Sequence, residues 1–331
     1  MRQLISFRRT GLGLLLWLTI PLLMGWALRH IPLRELGAIL GKLGGAQIAA
    51  LIAVNALVML TFSGRWWAIL RGQGYSVPYL HLVGYRLAAF SISYFTPGPH
   101  LGGEPLQVLL LHKRAGVPAI SAATSVALDK LLEMAVNFAF LALGVLVTLR
   151  IAAFDATAGV GAIALSLMLL TLPISFLMMV WAGRRPATWL LERFPKRVKR
   201  WTIWHRLADA ACMGEQEAAR LYCERPFSVA KALGMSLLSW LALLAEYWLA
   251  LHFLGLEVTL GQLISVATAA RIAILMPLPG GLGSLEAGQV VMFGALGLNP
   301  AIGLSLALLV HARDVLFGGL GLWWGSMVLR H

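Results

Sequence analysis

Residues 276–286 read MPLPGGLGSLE, and residues 96–104 read TPGPHLGGE. Each stretch has Pro-x-Pro, then glycines, then a glutamate that opens an apolar segment. In both copies the glutamate lies 14 positions before a proline, Pro118 or Pro300, that starts a long apolar stretch. We interpret this agreement as an internal repeat of two broken helices.

The composition around the repeat is that of a membrane protein. Of 331 residues, 59% are hydrophobic and 12% are charged, and the mean hydropathy is +0.80. Soluble domains average about 45–50% apolar and about 25% charged residues. The net charge of +13 does not indicate nucleic-acid binding, because most basic residues lie between apolar segments. We predict an all-α polytopic membrane protein in one integral domain, residues 1–331.

Eight apolar stretches are long enough to cross a bilayer, which takes about 20 helical residues. They are 11–28, 46–64, 79–95, 119–149, 157–182, 228–254, 258–276 and 300–328. Arg65, Trp66 and Trp67 are expected where the second span meets the cytoplasmic interface. Two more segments, 96–112 and 277–298, are too interrupted for one helix and too apolar for a loop. We therefore predict about eight full spans plus two broken or re-entrant segments, with repeat one at about 79–149 and repeat two at about 258–329.

The distribution of Lys and Arg predicts the orientation, since these residues are enriched in cytoplasmic loops. A cytoplasmic N-terminus, with each broken segment crossing once, places the basic loop 183–227 in the cytoplasm of a plasma or inner membrane. Only four basic residues then lie opposite: Arg29, Arg34, Lys42 and Arg150. The two motifs would enter from opposite sides, which makes the repeat inverted, as in many transporters. Two hairpins that enter from one side would make it parallel.

The motif itself predicts unwound backbone at membrane depth. Proline removes a backbone donor and glycine permits unusual dihedral angles, so the helix is interrupted there. Unwound backbone inside a membrane must be buried in protein or line a wet cavity. The following half-helix then directs free N–H groups into that space, which suits a phosphate or a carboxylate. Glu104 and Glu286 are either caps of these half-helices or sites for a proton or cation.

Ten ionisable residues are predicted at membrane depth, and each would cost at least about 2.5–3.5 kcal/mol if unpaired at a helix centre. They either form salt bridges that lock the repeats together or line a polar cavity, and we predict the cavity for the set. Glu246, outside the repeat, is expected to be structural. His100 is a weaker candidate for proton relay, and His311 lies off the face of Arg313. The predicted substrate-binding residues are Arg86, Pro97, Pro99, Gly102, Gly103, Glu104, Asp129, Lys130, Glu133, Arg271, Pro277, Pro279, Gly280, Gly281, Gly283, Glu286, Arg313 and Asp314.

The sequence resembles the flippase-like transmembrane family that is related to the membrane region of lysylphosphatidylglycerol synthetase/flippase proteins. The resemblance rests on PGPHLGGEPLQVLLLHKRAGVP at 97–118, PLPGGLGSLEA at 277–287 and ALLVHARDVLFG at 307–318. It covers most of the chain and implies movement of polar lipids across the bilayer, in some members within hopanoid or other isoprenoid-lipid pathways. Gln107 replaces the arginine expected in GGE-x-x-R, which puts a phosphate contact there in doubt. Because the sequence ends at His331, directly after the last span, we do not expect it to make an aminoacylated lipid.

The leading hypothesis is a lipid flippase and not an enzyme. Arg86, Arg271, Arg313 and the half-helix N-termini would hold an anionic headgroup. Carboxylates at Glu104, Glu286, Asp129 and Asp314 would partner the arginines and could couple transport to protons. The alternatives are a membrane enzyme acting on lipid phosphates or lipid-linked sugars, and a non-catalytic lipid-binding subunit of a biosynthetic complex. We predict membrane lipids as partners, with lipid-biosynthesis enzymes as further candidates, and no nucleic acid, metal or cofactor; the oligomeric state stays open.

Overall fold

The structure is a computed structural model. It describes residue 41 and residues 43–95, 102–151, 156–193, 202–276 and 281–330, which form eleven α-helices and no β-strand. The helices are α1 Gly45–Gly72, α2 Tyr79–Phe95, α3 Glu104–Arg114, α4 Ala119–Ile151, α5 Ala156–Trp181, α6 Pro186–Glu192, α7 Thr202–Glu224, α8 Pro226–Phe253, α9 Leu260–Ile274, α10 Ser284–Ala295 and α11 Pro300–Arg330. The all-helical prediction is confirmed for this part of the chain.

Within the described residues, five helices are long and apolar enough to cross a membrane: α1, α4, α8, most of α5 and most of α11. Helices α2 and α9 coincide with two further predicted spans but have only 17 and 15 residues. The predicted span 11–28 lies outside the described residues. The chain is therefore integral to the membrane, and the number of eight full spans stays a prediction.

The first broken segment turns back along the helix that precedes it. Its residues 96–101 lie outside the described part, and α3 begins at Glu104. The N–H of Gly103 donates to Ser93 Oγ at 2.9 Å, late in α2. Further along α3, Leu110 is buried in the same cluster as Leu82, early in α2. Helix α3 thus runs antiparallel to α2.

The second broken segment repeats this geometry. Residues 277–280 lie outside the described part, and α10 starts beside the end of α9, where Ser284 Oγ donates to the Ala273 carbonyl at 2.9 Å. One turn later, Gln289 Nε2 donates to the Val266 carbonyl at 3.1 Å. Helix α10 thus runs back along α9, as α3 does along α2.

The bundle is built from two four-helix units, α1–α4 and α8–α11, whose mutual contacts are reciprocal. The opening helices α1 and α8 pack against each other. The second helix of each unit packs on the fourth helix of the other, so α2 meets α11 and α9 meets α4. Units related by an approximate two-fold axis make contacts of this kind, because each uses the same surface.

Small residues let α2 and α11 approach closely. Ser91 Oγ donates to the Gly318 carbonyl at 2.8 Å, and Gly321 leaves no room for a side chain because an added Cβ would lie 2.2 Å from the Leu87 carbonyl oxygen. Gly84 lies against Trp324, so the pair is antiparallel. The glycine-rich tail of α11 therefore packs within the chain, the default interpretation of a GxxxG pattern beside another helix of the same protein.

Helices α4 and α9 also cross closely, through a glycine and small polar residues. A Cβ at Gly144 would lie 1.9 Å from Thr268 Oγ1. One turn further along α4, Thr148 Oγ1 donates to Ser265 Oγ at 2.9 Å. The α2–α11 and α4–α9 crossings therefore both bring glycines and uncharged polar groups into close contact.

The glycine at 321 yields a testable consequence. Gly321→Ala is expected to lower the free energy of unfolding by about 1–3 kcal/mol, because the new methyl group must displace backbone of α2. The matched control is Gly319→Ala on the same helix, where a Cβ meets nothing within 4 Å and the better helix former should be neutral or stabilising. Denaturant unfolding of both purified variants measures the difference; equal stabilities would contradict the close crossing.

The predicted loop 183–227 contains α6 and α7. Helix α7 packs on the bundle, and its Leu221 is buried in a cluster with Ile69 and Leu128. Its polar face also contacts the bundle, since Ser121 Oγ donates to Glu217 Oε1 at 2.6 Å. This packing follows from the amphipathic pattern of α7, which presents apolar residues such as Leu221 to α1 and α4.

Candidate functional site

The first charged cluster is centred on Asp129, a buried residue of α4. Arg65 of α1 donates through Nε to Asp129 Oδ1 at 2.7 Å, and through Nη2 to Glu133 Oε2 at 2.8 Å. Arg86 of α2 donates to the other oxygen of Asp129. One carboxylate thus joins three helices of the first unit, and the predicted pairing of Arg86 with an acid is confirmed.

Glu104 lies at the start of α3 and makes two kinds of contact. Its Oε2 accepts from the Gly102 N–H at 2.8 Å, so it caps its own helix, one of the two roles considered for it. Its Oε1 lies 3.4 Å from Lys130 Nζ, which also binds Glu133 at 3.1 Å. The cap of the broken segment is thereby connected to the Asp129 cluster.

The second charged cluster is centred on Arg313 of α11. Its Nη1 donates to Glu246 Oε1 of α8, and its Nη2 lies 2.8 Å from Asp314 Oδ1. Glu246 is 4% exposed. It therefore joins α8 to α11 and belongs to the same constellation as the repeat, although its position in the sequence lies outside it.

Glu286 of α10 reproduces the arrangement of Glu104. Its Oε2 accepts from the Gly283 N–H at 2.8 Å, and its Oε1 lies 3.2 Å from His311 Nε2. The His311 side chain is fully buried, with Nδ1 3.5 Å from Tyr94 Oη. Gly283 has φ of 80°, a left-handed conformation that only glycine adopts without cost.

Both units therefore share one motif in three dimensions. A glutamate at the start of the short helix accepts a backbone N–H with one oxygen. Its other oxygen faces a nitrogen of a basic side chain from the long helix that follows. That side chain is Lys130 in the first unit and His311 in the second.

Arg271 of α9 differs from the other predicted arginines. Its guanidinium lies 4.9 Å from the centre of the Trp240 ring, which in turn stacks on Phe140 at 3.9 Å. Arg271 makes no ion pair with any other described residue, whereas Arg86 and Arg313 both bind carboxylates. A cation held on an aromatic face without an acid is available to an anionic group.

The predicted site is thus partly assembled in the structure. Glycines 102, 103, 281 and 283 border the starts of α3 and α10. Pro97, Pro99, Pro277, Pro279 and Gly280 lie outside the described residues, as does His100. Within the described ranges, no group of three or more His, Cys, Asp or Glu is placed to hold a metal ion.

Sequence reasoning missed two site residues. Arg65 was expected at the cytoplasmic interface, but it is 1% exposed and its neighbour Trp66 is fully buried. Arg65 is buried because α1 continues to Gly72 and two acids of α4 lie within its reach; its depth relative to the membrane interface stays a prediction. His311 was set aside for lying off the face of Arg313, yet its partner comes from α10. For Arg65 a signal was available in the sequence. The helical pattern continues past it, which places a basic residue inside a helix and not at its end.

The comparisons with known proteins also identify a membrane protein. The family described as the lysylphosphatidylglycerol synthase TM region matches residues 11–321. The chain belongs to this family. It is 24% identical to a UPF0104 membrane protein of Methanothermobacter thermautotrophicus over 294 residues, which cover 86% of this chain and 85% of that protein.

A second relative is a UPF0104 membrane protein of Pyrococcus horikoshii. It is 23% identical over 268 residues, covering 78% of this chain and 79% of the relative. No solved structure matches the chain. The family match, over residues 11–321, extends over both four-helix units.

Proposed function

We propose that the protein moves a polar or anionic lipid between the leaflets of its membrane. The observation that carries this proposal is the distribution of ion pairs. Every ion pair of the two charged clusters lies within one four-helix unit, either between its helices or along one of them. Each unit is therefore held together internally by charge.

At two of the three main crossings between the units the contacts are of another kind. At the α2–α11 and α4–α9 crossings they are hydroxyl groups, carbonyls and glycines, such as Ser91 on Gly318 and Thr148 on Ser265. The described charged residues do not bridge these crossings. Two units that are each held together by ion pairs, and that meet at these crossings through uncharged groups, can rock against each other. Many transporters with repeats alternate access in this way.

We further propose that the two units form an inverted repeat. Helices α2 and α11 pack antiparallel, and so do α4 and α9, which supports opposite directions of the two units across the membrane. Helices α3 and α10 would then begin near the middle of the bilayer, each with its glutamate facing the interior between the units. Broken helices at the midplane are where such transporters bind their substrates.

Arg271 is the residue we propose for the lipid headgroup. A guanidinium without an acidic partner favours an anionic group such as a phosphate, which it can bind with two parallel hydrogen bonds. The ring of Trp240 packs against this guanidinium, with 4.9 Å from the ring centre to the guanidinium carbon. The neighbouring charged clusters are internally paired, so they would adjust to a bound headgroup and would not provide its main countercharge.

Arg271→Gln is expected to slow movement of anionic lipids by about tenfold or more, because a charge-assisted hydrogen bond contributes about 1.5–3 kcal/mol. The measurement is leaflet accessibility of fluorescent anionic and zwitterionic phospholipids in vesicles that contain the purified protein. Arg150→Gln, at an exposed end of α4, is the matched control and should behave as the parent. Equal slowing of both lipid classes, or none, would remove Arg271 from headgroup recognition.

The same vesicles separate the alternatives. A membrane enzyme would change the covalent structure of the lipid, which mass spectrometry of the recovered lipids detects. A non-catalytic subunit would bind lipid and change neither its structure nor its leaflet. Only a translocase changes the leaflet and leaves the lipid intact.

A further inference from the structure

The two equivalent glutamates differ in the cation that faces them. Glu104 Oε1 lies 3.4 Å from the Lys130 ammonium, and Glu286 Oε1 lies 3.2 Å from His311 Nε2. The other oxygen of each glutamate is held in the same way, by a backbone N–H at 2.8 Å. The chemical identity of the cation is therefore the main difference between the two sites.

That difference decides which of the two pairs loses its charge attraction when a single proton leaves. A lysine beside two carboxylates stays charged across the physiological range, because its reference pKa of about 10.4 is far above that range. Histidine gains or loses its charge between about pH 5 and pH 8. The pair in the first unit is therefore permanent, and the pair in the second unit depends on protonation.

We propose that His311 and Glu286 form a proton-binding site that couples proton movement to the transport proposed above, on which this inference rests. In the loaded state a proton occupies His311 Nε2, and the imidazolium pairs with the Glu286 carboxylate. Release of the proton leaves a neutral imidazole and a carboxylate that keeps only its backbone N–H contact. Helix α10 is then no longer tied to α11 by charge, whereas α3 stays tied to α4.

The surroundings allow such a site to load and unload. His311 is fully buried, whereas the Glu286 side chain is 18% exposed, so the carboxylate is the exposed member through which a proton can reach the ring. Among the described residues, Tyr94 of α2 lies beside His311, and Glu286, Arg313 and Asp314 are the charged groups around Tyr94. Glu246 and Tyr247 of α8 lie next to Arg313. Arg313 is already paired with Glu246 and Asp314, so Glu286 is the acid left for the imidazolium.

The direct test observes the proton without any lipid transport. The full chain, labelled with ¹⁵N-histidine and placed in lipid nanodiscs, is titrated from about pH 5 to pH 8 by NMR. We expect one titrating imidazole signal to vanish in His311→Gln and to persist in His252→Gln, which removes a half-exposed histidine at the end of α8. If His311→Gln does not fold, single substitutions of the other histidines assign the signal by elimination. A His311 signal that keeps one protonation state over this range would overturn the proposal.

A second test connects the site to coupling. His311→Lys copies the permanent pair of the first unit and should fold, because it keeps a cation opposite Glu286. In this variant, the acceleration of lipid movement by an imposed pH gradient is expected to be at least tenfold smaller than in the parent protein. Titration of His311 in a protein that moves no lipid would refute transport and leave the proton site standing. Transport that keeps its full gradient dependence in His311→Lys would refute the coupling and leave transport standing.

Discussion

Asp129→Asn is expected to lower the free energy of unfolding by about 3–5 kcal/mol, among the largest effects of any single substitution in this chain. Asp129 is 4% exposed and binds both Arg65 and Arg86. An asparagine fits the same volume but carries no charge. The two guanidinium groups are then left with a single acid, Glu133, and only Arg65 binds it. Reversible unfolding of the purified protein in a mixed detergent measures the loss.

Asp209→Asn is the matched control, because Asp209 lies on the exposed side of α7 and should change stability by less than about 0.5 kcal/mol. The double substitution with Arg86→Gln sharpens the test. If the two residues interact directly, the combined loss should differ from the sum of the single losses by about 0.5–3 kcal/mol. Additive losses, or an Asp129→Asn protein as stable as Asp209→Asn, would contradict the network.

The joint substitution Glu104→Gln and Glu286→Gln is expected to slow lipid movement by about tenfold or more while leaving the fold intact. A glutamine oxygen can still accept the N–H of Gly102 or Gly283, so each helix keeps its cap. What is lost is the charge opposite Lys130 and His311, and hydrogen bonds to charged groups contribute about 1.5–3 kcal/mol. Helical content and the unfolding midpoint report the fold, and leaflet accessibility reports the function.

Glu224→Gln is the control for that experiment, since Glu224 is exposed at the end of α7. Each single substitution should also be informative. Glu286→Gln should change the response to pH, because it removes the partner of a histidine, and Glu104→Gln should not. Unfolding of the double variant would assign both glutamates to structure; normal lipid movement in a folded double variant would exclude them from the transport path.

Much of the helical layout could be predicted from the sequence, because long apolar segments bounded by charge or proline form helices in a membrane for lack of other hydrogen-bond partners. The predicted span 79–95 coincides with α2, and 119–149 lies within α4. The end of α1 was predicted too early, at 64. A charged residue usually marks the interface, but Arg65 remains in the helix because Asp129 and Glu133 compensate its charge.

The pairing of charges was harder to predict, because it depends on which helices meet. The sequence predicted that acids of the repeat partner Arg86, Arg271 and Arg313, and this holds for Arg86 with Asp129 and for Arg313 with Asp314. Arg271 makes no ion pair with a described residue, and Glu104 and Glu286 face Lys130 and His311 instead of an arginine. His311 could not be found from its own helix, since Glu286 reaches it from α10 only after the broken segment turns back. Glu246 was interpreted as structural because the predicted repeat began after it, and the reciprocal packing of α1 and α8 places it inside the second unit.

The most direct measurement is leaflet accessibility of a fluorescent anionic phospholipid in vesicles with and without the protein, alongside the joint variant Glu104→Gln and Glu286→Gln. We predict movement that depends on the parent protein, leaves the lipid chemically unchanged and falls by about tenfold or more in the folded variant. Movement that is equally fast without the protein, or equally fast in the folded variant, would contradict a lipid path lined by the two broken helices.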